Sequence, residues 1–366
     1  MPEDAKEAFG SNVVWDDGNA GNTAQPASSF RGPQPYAIVY AVPELILGML
    51  DSMNADIALC GDRRVLPGLA VTVRSALENA TRLLNVHVIS AGLLELDKEK
   101  LRRSWDHPNC GQVNFAEITR QKAQSFRSTA YLKSKAAYAR YFIDEMFPNI
   151  ERCVYLDADL LVFRDLTEAF QMDLGDNIAA AVRDISVRVN PVNPALKRRL
   201  GLRDEGNYFN SGFLIMELNA WRRERLVDKL VEISIERFDE LNSQDQDALN
   251  MVLEDRTLLI NEAWNTSQYE KPIPLTGHIV HLIGTVKPWH ARYKGKFRER
   301  YYEDVIFAGF MDVLDRTAFR DWRPWDFLGL GKYTEFVDQK MPTRDMIAGK
   351  LRRVTSLVYR GVMRGS

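Results

Sequence analysis

The stretch Cys153 to Phe163, CVYLDADLLVF, limits what this chain can become more than any other. Its apolar residues read as a buried strand, and Asp157 and Asp159 interrupt it. Burying a carboxylate costs on the order of several kcal/mol unless a cation or hydrogen-bond donors compensate it. A divalent cation is the simplest compensation for two acids so placed. Hard cations such as Mn²⁺ or Mg²⁺ take oxygen ligands and bridge to substrate phosphates. The pair therefore points to a metal–diphosphate site at a strand edge. A D-x-D triplet recurs by chance, and this one takes its weight from the apolar runs on both sides.

The surrounding pattern says what kind of sheet holds that edge. Ile57 to Cys60 reads as a buried strand turning at Gly61 and Asp62, and the helix after it repeats Leu69, Val73, Leu77 and Ala80, with Pro67 in its first turn. NVHVIS and VNFAEI read as strands flanking a charged helix, Asp97 to Trp105. Lys133 to Phe147 reads as a helix that Pro148 ends, IAAAVRD as a strand, and Ser186 to Gly206 as a long polar loop. The segment after it predicts a strand, Phe213 to Leu218, entered through a tight turn at Asn210, Ser211 and Gly212. Trp221 to Leu241 reads as one long amphipathic helix and DQDALNMVL as the next, with Thr257 to Ile260 and His278 to Ile283 as further strands. The alternation predicts an α/β fold: a single, mainly parallel, doubly wound sheet with helices on both faces and C-terminal additions. Ligands bind such sheets at the carboxyl ends of the strands, where Asp157 sits and Arg140 approaches.

The organisation around this core divides into five parts. Residues 1–35, rich in Gly, Asn, Ser, Pro and Ala, read as a mobile tail, 36–55 as an N-terminal extension, and 56–292 as the catalytic domain. An aromatic and basic extension follows over 293–338. The last segment, 339–366, carries seven Lys or Arg against the single acid Asp345, a formal +6, with Ile347, Leu351, Val354, Val358 and Val362 on one helical face. That combination suits peripheral contact with an anionic membrane and equally a helix docked on the protein's own core. The net charge of −2 excludes a globally basic nucleic-acid binder. Three widely spaced cysteines, Cys60, Cys110 and Cys153, fit a reducing compartment. The polar start MPEDAKEAFG does not read as a secretory signal. These features predict a cytoplasmic protein, with the inner membrane face as the place for any peripheral contact.

A second constellation lies in HLIGTVKPWH, residues 281–290. His281 closes an apolar strand as Asp157 does, and a neutral imidazole is a common partner of Mn²⁺-class metals. Gly284 lets backbone approach a phosphate, and Lys287 supplies a point charge for one. Taken singly, His281 reads as a satisfied structural residue and Lys287 as a surface lysine.

Four strings in this order, YLDADLLVFRDL, YFNSGFLIMELNAWR, SQDQDALN and HLIGTVKPWH, together resemble the retaining glycosyltransferases of family 8, especially the bacterial enzymes that add galactose or glucose to lipopolysaccharide. The resemblance spans about residues 55–292. It implies a GT-A fold, a UDP-sugar donor (UDP-galactose or UDP-glucose), Mn²⁺ or Mg²⁺, and a saccharide or glycolipid acceptor. It further implies Asp157, Asp159 and His281 as metal ligands, with Ala158 between the two acids on the nucleotide side. Gly284 and Lys287 match diphosphate contacts, Cys60 and Asp62 the uridine side of the first strand, and Arg140 an arginine bridging nucleotide and sugar. Asp184, Asn210, Ser211, Asp245 and Gln246 match the donor-sugar pocket, and the catalytic candidates are Gln246, Asp245 and Asp184. Two residues depart from the pattern: Arg64 where a small polar nucleotide contact is common, and Ser211 where alanine is frequent. A nucleotidyltransferase and a noncatalytic sugar-nucleotide sensor are the rival readings, although CGDRR is a poor Gly-rich nucleotide loop.

Overall fold

Along β1 (Ala55–Gly61), Ile57 and Leu59 join one apolar cluster while Ala58 and Cys60 join another. That period of two is what a strand covered on both faces requires. Each fully buried large aliphatic side chain contributes roughly 1.5–3 kcal/mol, so the register that keeps both sets inside is strongly preferred. The computed structural model describes residues 55–119, 121–122, 126–127, 135–189, 193–270, 275–284, 287–290 and 305–322. The expected tail, the extension before Ala55 and the basic segment 339–366 lie outside these residues; of 293–338, only 305–322 lies inside.

Helix α1 (Leu66–Asn79) leads to β2 (Leu84–Ser90), and α2 (Glu95–Ser104) to β3 (Cys110–Glu117). A 3₁₀ stretch, Lys135–Phe142, runs into the short α3 (Ile143–Met146) and then into β4 (Arg152–Leu156). The order in the main sheet is β3-β2-β1-β4-β7-β6-β8, with β6 at Ala179–Arg183, β7 at Phe209–Glu217 and β8 at Thr257–Leu259. β7 runs antiparallel to its neighbours β4 and β6, and the other pairs are parallel. The succession reverses between β1 and β4, so a crevice opens beyond their carboxyl ends, where Asp62 and Asp157 lie. α1 packs in one apolar cluster, while Tyr138, Ala139, Tyr141 and Phe142 of the 3₁₀ stretch pack in the other.

The expected sheet is joined by a second one that the strand pattern did not reveal. β5 (Leu160–Val162), β10 (Ile279–His281) and β9 (Thr266–Ser267) form three strands, with Leu160 opposite His281 and His281 opposite Ser267. β4 belongs to the large sheet and β5 to the small one, so Asp157 to Asp159 is the handover between them. Helix α1 covers the edge of β5: Thr72 Oγ1 donates to the Leu160 carbonyl at 2.9 Å, and Ser75 Oγ accepts from Val162 N at 3.0 Å. These two buried hydroxyls on an otherwise apolar helix face thus satisfy strand groups that would lack partners.

Four expectations change. Ser186 to Gly206 is no extended loop, since α5 (Ile185–Val189) and α6 (Pro194–Leu200) occupy much of it; Asn193 caps α6 by accepting from Leu196 N. Trp221 to Leu241 is not one helix, because Arg225 at φ 53° breaks it into α7 (Leu218–Glu224) and α8 (Leu226–Glu236). Residues Asn210 to Gly212 are not a turn before a strand but part of β7. The register there jumps from Ala181 opposite Leu214 to Val182 opposite Asn210, an irregularity that bends the strand at these residues. Lys133 to Phe147 also winds more tightly than an α-helix over most of its described length. Beyond α4 (Thr167–Phe170) and α9 (Asp245–Leu253), α10 (Val305–Asp315) returns to pack on α1. Among the described residues no helix is long and apolar enough to cross a membrane.

Asp144 on α3 gives a test of these packing relations. Its Oδ1 is buried without a hydrogen-bond partner, and burial, with the Glu145 charge adding to it, pushes the carboxyl up to about 6. The unfolded chain therefore releases this proton first, and stability is lost as pH rises from the ordinary carboxylate value towards 6. Asp144→Asn is expected to gain about 1–2 kcal/mol at pH 7.5 and little near pH 4, measured by urea unfolding at both. A variant less stable than the parent at pH 7.5 would contradict this.

Candidate active site

The Asp157–Asp159 turn is clamped by main-chain bonds to both sheets. Asp157 N donates to the Gly212 carbonyl at 2.8 Å, and Leu282 N donates to the Asp159 carbonyl at 2.9 Å. With the backbone fixed on each side, the side chains converge on His281 from β10. His281 Nε2 lies 3.2 Å from Asp159 Oδ1 and 3.9 Å from Asp157 Oδ2. Ligand atoms of the three residues lie within 4.8 Å of one another.

The partners of these groups leave the converging atoms available. Asp157 Oδ1 accepts from Arg140 Nη2 at 2.8 Å and from the Tyr155 hydroxyl at 2.6 Å, so Oδ2 is the oxygen turned to the cluster. His281 Nδ1 lies 3.0 Å from Asn265 Oδ1, while Asn265 Nδ2 donates to Asn210 Oδ1 at 2.8 Å. That chain assigns the proton to Nδ1 and leaves the Nε2 lone pair facing the acids. Two carboxylate oxygens and one imidazole nitrogen form a donor set that suits Mn²⁺ or Mg²⁺. Burial would raise the Asp159 carboxyl, yet the Lys287 ammonium paired with it outweighs that and holds it well below the usual carboxylate range.

Gly212 explains how β7 comes so close. A Cβ there would meet His281 Cε1 at 2.2 Å and Nδ1 at 2.7 Å, so only glycine lets the strand pass beneath the ring. Gly68 does the same for the turn, since a Cβ on it would lie 2.1 Å from the Ala158 carbonyl oxygen. Ala158 itself is buried, in the apolar cluster that also holds α1.

Behind the cluster, Arg140 is 4% exposed. Burial works against its charge, but Asp157 and then Asp245 outweigh that and keep it protonated. Its Nη1 donates to the Ser211 carbonyl at 2.7 Å and its Nε to the Ala137 carbonyl at 3.0 Å. Asp245 Oδ2 lies 3.0 Å from the same Nε but out of hydrogen-bond alignment, so their contact is ionic. Burial pushes the Asp245 carboxyl up against the opposing pull of Arg140. Gln246 follows at the start of α9, where Gln244 at φ 43° precedes the helix. Its Oε1 accepts from Ser211 N at 3.0 Å, and its Nε2 donates to Tyr208 Oη at 3.0 Å and Asp184 Oδ2 at 3.2 Å. Asp184 is fully engaged: Oδ1 accepts from Ser186 N and Oγ, and Oδ2 also accepts from Asn210 Nδ2.

One continuous network therefore joins Asp157, Asp159, His281, Lys287, Arg140, Asn210, Ser211, Asp184, Asp245 and Gln246. Cys60 and Asp62 stand apart at the carboxyl end of β1. Burial pushes the Cys60 thiol up, so it stays a neutral group within reach of the charges on Arg140, Asp157 and Asp245. Asp62 is capped by Arg64, whose N and Nε donate to its carboxylate at 2.9 and 3.0 Å; Arg64 therefore folds onto a neighbouring acid. Gly284 has φ 102° in the turn after His281, a conformation that favours glycine.

Several residues of the network had no part in the sequence expectations. Tyr155 carries a readable signal, standing two residues before Asp157 on a strand of period two. Asn265 reaches the site from a segment with no pattern of its own, while Tyr208 opens the string YFNSGFLIMELNAWR without having been read as a site residue. Asp247 is wholly buried and holds Tyr208 through a 2.6 Å hydrogen bond, with Arg199 from α6 on its other oxygen at 2.7 Å. The segment read as a loop thus braces the site from behind.

A family model described as Glycosyl transferase family 8 matches residues 56–292. General stress protein A of Bacillus subtilis (strain 168) is 27% identical over 278 residues, which cover 69% of this chain and 93% of that protein. Lipopolysaccharide 1,2-glucosyltransferase of Escherichia coli (strain K12) is 26% identical over 251 residues, 64% of this chain and 72% of that enzyme. The solved structure of the galactosyltransferase LgtC in complex with donor and acceptor sugar analogs matches with a TM-score of 0.61 at 25% identity, covering 72% of this chain and 96% of that one.

The close pass at Gly212 yields a direct test. Gly212→Ala must displace the His281 ring, and Mn²⁺ affinity measured by calorimetry is expected to fall about ten-fold or more. Affinity equal to that of the parent protein would show that His281 contributes nothing to metal binding.

Proposed function

The chain belongs to glycosyl transferase family 8, and on that premise we propose that it moves galactose or glucose from a UDP-sugar to a saccharide acceptor with retention of configuration. The observation that carries this reading is the convergence of Asp157, Asp159 and His281 beside Lys287, with an amide, Gln246, held on the same network. A bound Mn²⁺ or Mg²⁺ supplies positive charge against the negative charge that gathers on departing UDP.

The remaining work falls to the chain's own residues. The Lys287 ammonium and the open backbone at Gly284 receive the diphosphate, and Arg140 keeps Asp157 oriented. Gln246 cannot rotate freely, because Ser211, Asp184 and Tyr208 hold both ends of its amide. Its oxygen is a weak nucleophile that can stabilise positive charge on the anomeric carbon. Asp184 accepts from four donors, and Asp245 is buried against Arg140. Neither is free to attack a sugar, which supports front-face substitution over double displacement. In that step the bond from anomeric carbon to phosphate oxygen breaks, the bond to the acceptor oxygen forms, and the acceptor's proton passes to the departing phosphate.

The acceptor we propose is a lipopolysaccharide-type saccharide or another glycolipid, the class named for the Escherichia coli relative. Such an acceptor would place the enzyme on the cytoplasmic side of the inner membrane, with segment 339–366 as its contact. The reading is tested by incubating the protein with Mn²⁺ and a panel of sugar nucleotides. UDP release from UDP-galactose or UDP-glucose is expected, and Asp159→Ala should lower it at least about a hundred-fold. Pyrophosphate release would identify a nucleotidyltransferase, and tight binding without turnover a sensor.

A further inference from the structure

Both acids of the Asp157–Asp159 turn already hold a cation that belongs to the chain, and the two cations are held very differently. Arg140 on Asp157 is buried, bonded to two backbone carbonyls and shared with Asp245. Lys287 is in ion-pair contact with Asp159 Oδ2, and its ammonium also donates to the uncharged Leu282 carbonyl at 2.6 Å. The first cation is built into the core. The second sits on a flexible stem just after the glycine turn at 284, its side chain 17% exposed.

The placement of Lys287 sets up a competition. Asp159 turns Oδ1 to His281 and Oδ2 to Lys287, so a divalent ion on Asp157, Asp159 and His281 would share one carboxylate with an ammonium. Like charges so close, in a site this little exposed, repel strongly. A diphosphate arriving alone would meet Asp157 and Asp159. Arriving together, ion and diphosphate cancel each other's charge, and the phosphate oxygens offer the ammonium a new partner.

We propose that Lys287 is a displaceable counter-ion of Asp159 that couples divalent-metal binding to sugar-nucleotide binding. The diphosphate draws the ammonium off Asp159, and the metal takes over the carboxylate. The inference rests on the reading of this site as a metal–diphosphate site. It goes beyond a lysine that only contacts phosphate, because such a lysine would leave metal binding in the absence of nucleotide unchanged.

The test is calorimetric titration of the full chain with Mn²⁺, with and without saturating UDP. In the parent protein UDP is expected to tighten Mn²⁺ binding about ten-fold or more. In Lys287→Met, Mn²⁺ alone is expected to bind about ten-fold tighter than in the parent, and the gain from UDP to shrink by a similar factor. Lys287→Gln, which keeps a donor for the Leu282 carbonyl, provides the same comparison should the methionine disturb the turn; circular dichroism checks both folds. If the parent binds Mn²⁺ with UDP but neither variant binds Mn²⁺ alone more tightly than the parent, the coupling role is overturned and the site reading stands. If the parent binds no Mn²⁺ with or without UDP, both fall.

Discussion

The handover from β4 to β5 is the constraint on which the site depends. Two main-chain hydrogen bonds, one to Gly212 in the large sheet and one from Leu282 beside the small sheet, fix the backbone between Asp157 and Asp159. With that segment immobile, the direction of both carboxylates follows from their rotamers and neighbours. A polar site placed between two sheets also has apolar walls, which strengthen every charge interaction inside it. The same walls make an uncompensated charge costly, and the chain answers with Arg140, Lys287 and Tyr155.

The second tier of contacts shows why the sheet irregularity matters. The register jump in β7 places Ser211 where its carbonyl takes Arg140 and its amide takes Gln246. Asn210, one residue earlier, joins Asp184 to Asn265 and so to His281. A regular strand could not do this, because the ladder to its neighbour would take up the backbone amide and carbonyl that Ser211 offers to Gln246 and Arg140. The groups around His281 and those around Gln246 are therefore parts of one framework, and a change in either is expected to be felt by the other.

How far the sequence discloses this depends on the physical source of each feature. The strands β1 and β4 were legible because burial on both faces demands near-continuous apolar runs, β2 by its valines and isoleucine between polar residues, and α1 because its apolar positions keep a helical period. Asp157, Asp159 and His281 were legible as polar residues closing apolar runs. The break at Arg225 was not, since a non-glycine residue in the left-handed region leaves no mark in composition. α5 and α6 were hidden by polar and proline-bearing residues that read as loop, although Asn193 and Pro194 are a readable helix start once looked for. The small sheet escaped because β9, two residues long, carries too little pattern, and because the run through Asp157 and Asp159 reads as one strand where β4 and β5 are two. Asn265 was invisible for a different reason: its role exists only because β9 lies beside β10.

The central claim is that Asp157, Asp159 and His281 hold one divalent ion against the diphosphate of a bound nucleotide. Electron–nuclear double resonance on Mn²⁺ bound to the full chain with UDP, its histidines nitrogen-labelled, tests it most directly. Strong hyperfine coupling to a single histidine nitrogen and to UDP phosphorus is the predicted result, with the nitrogen coupling lost in His281→Ala. A spectrum showing only water around the ion, or phosphorus coupling with no histidine nitrogen, would contradict it.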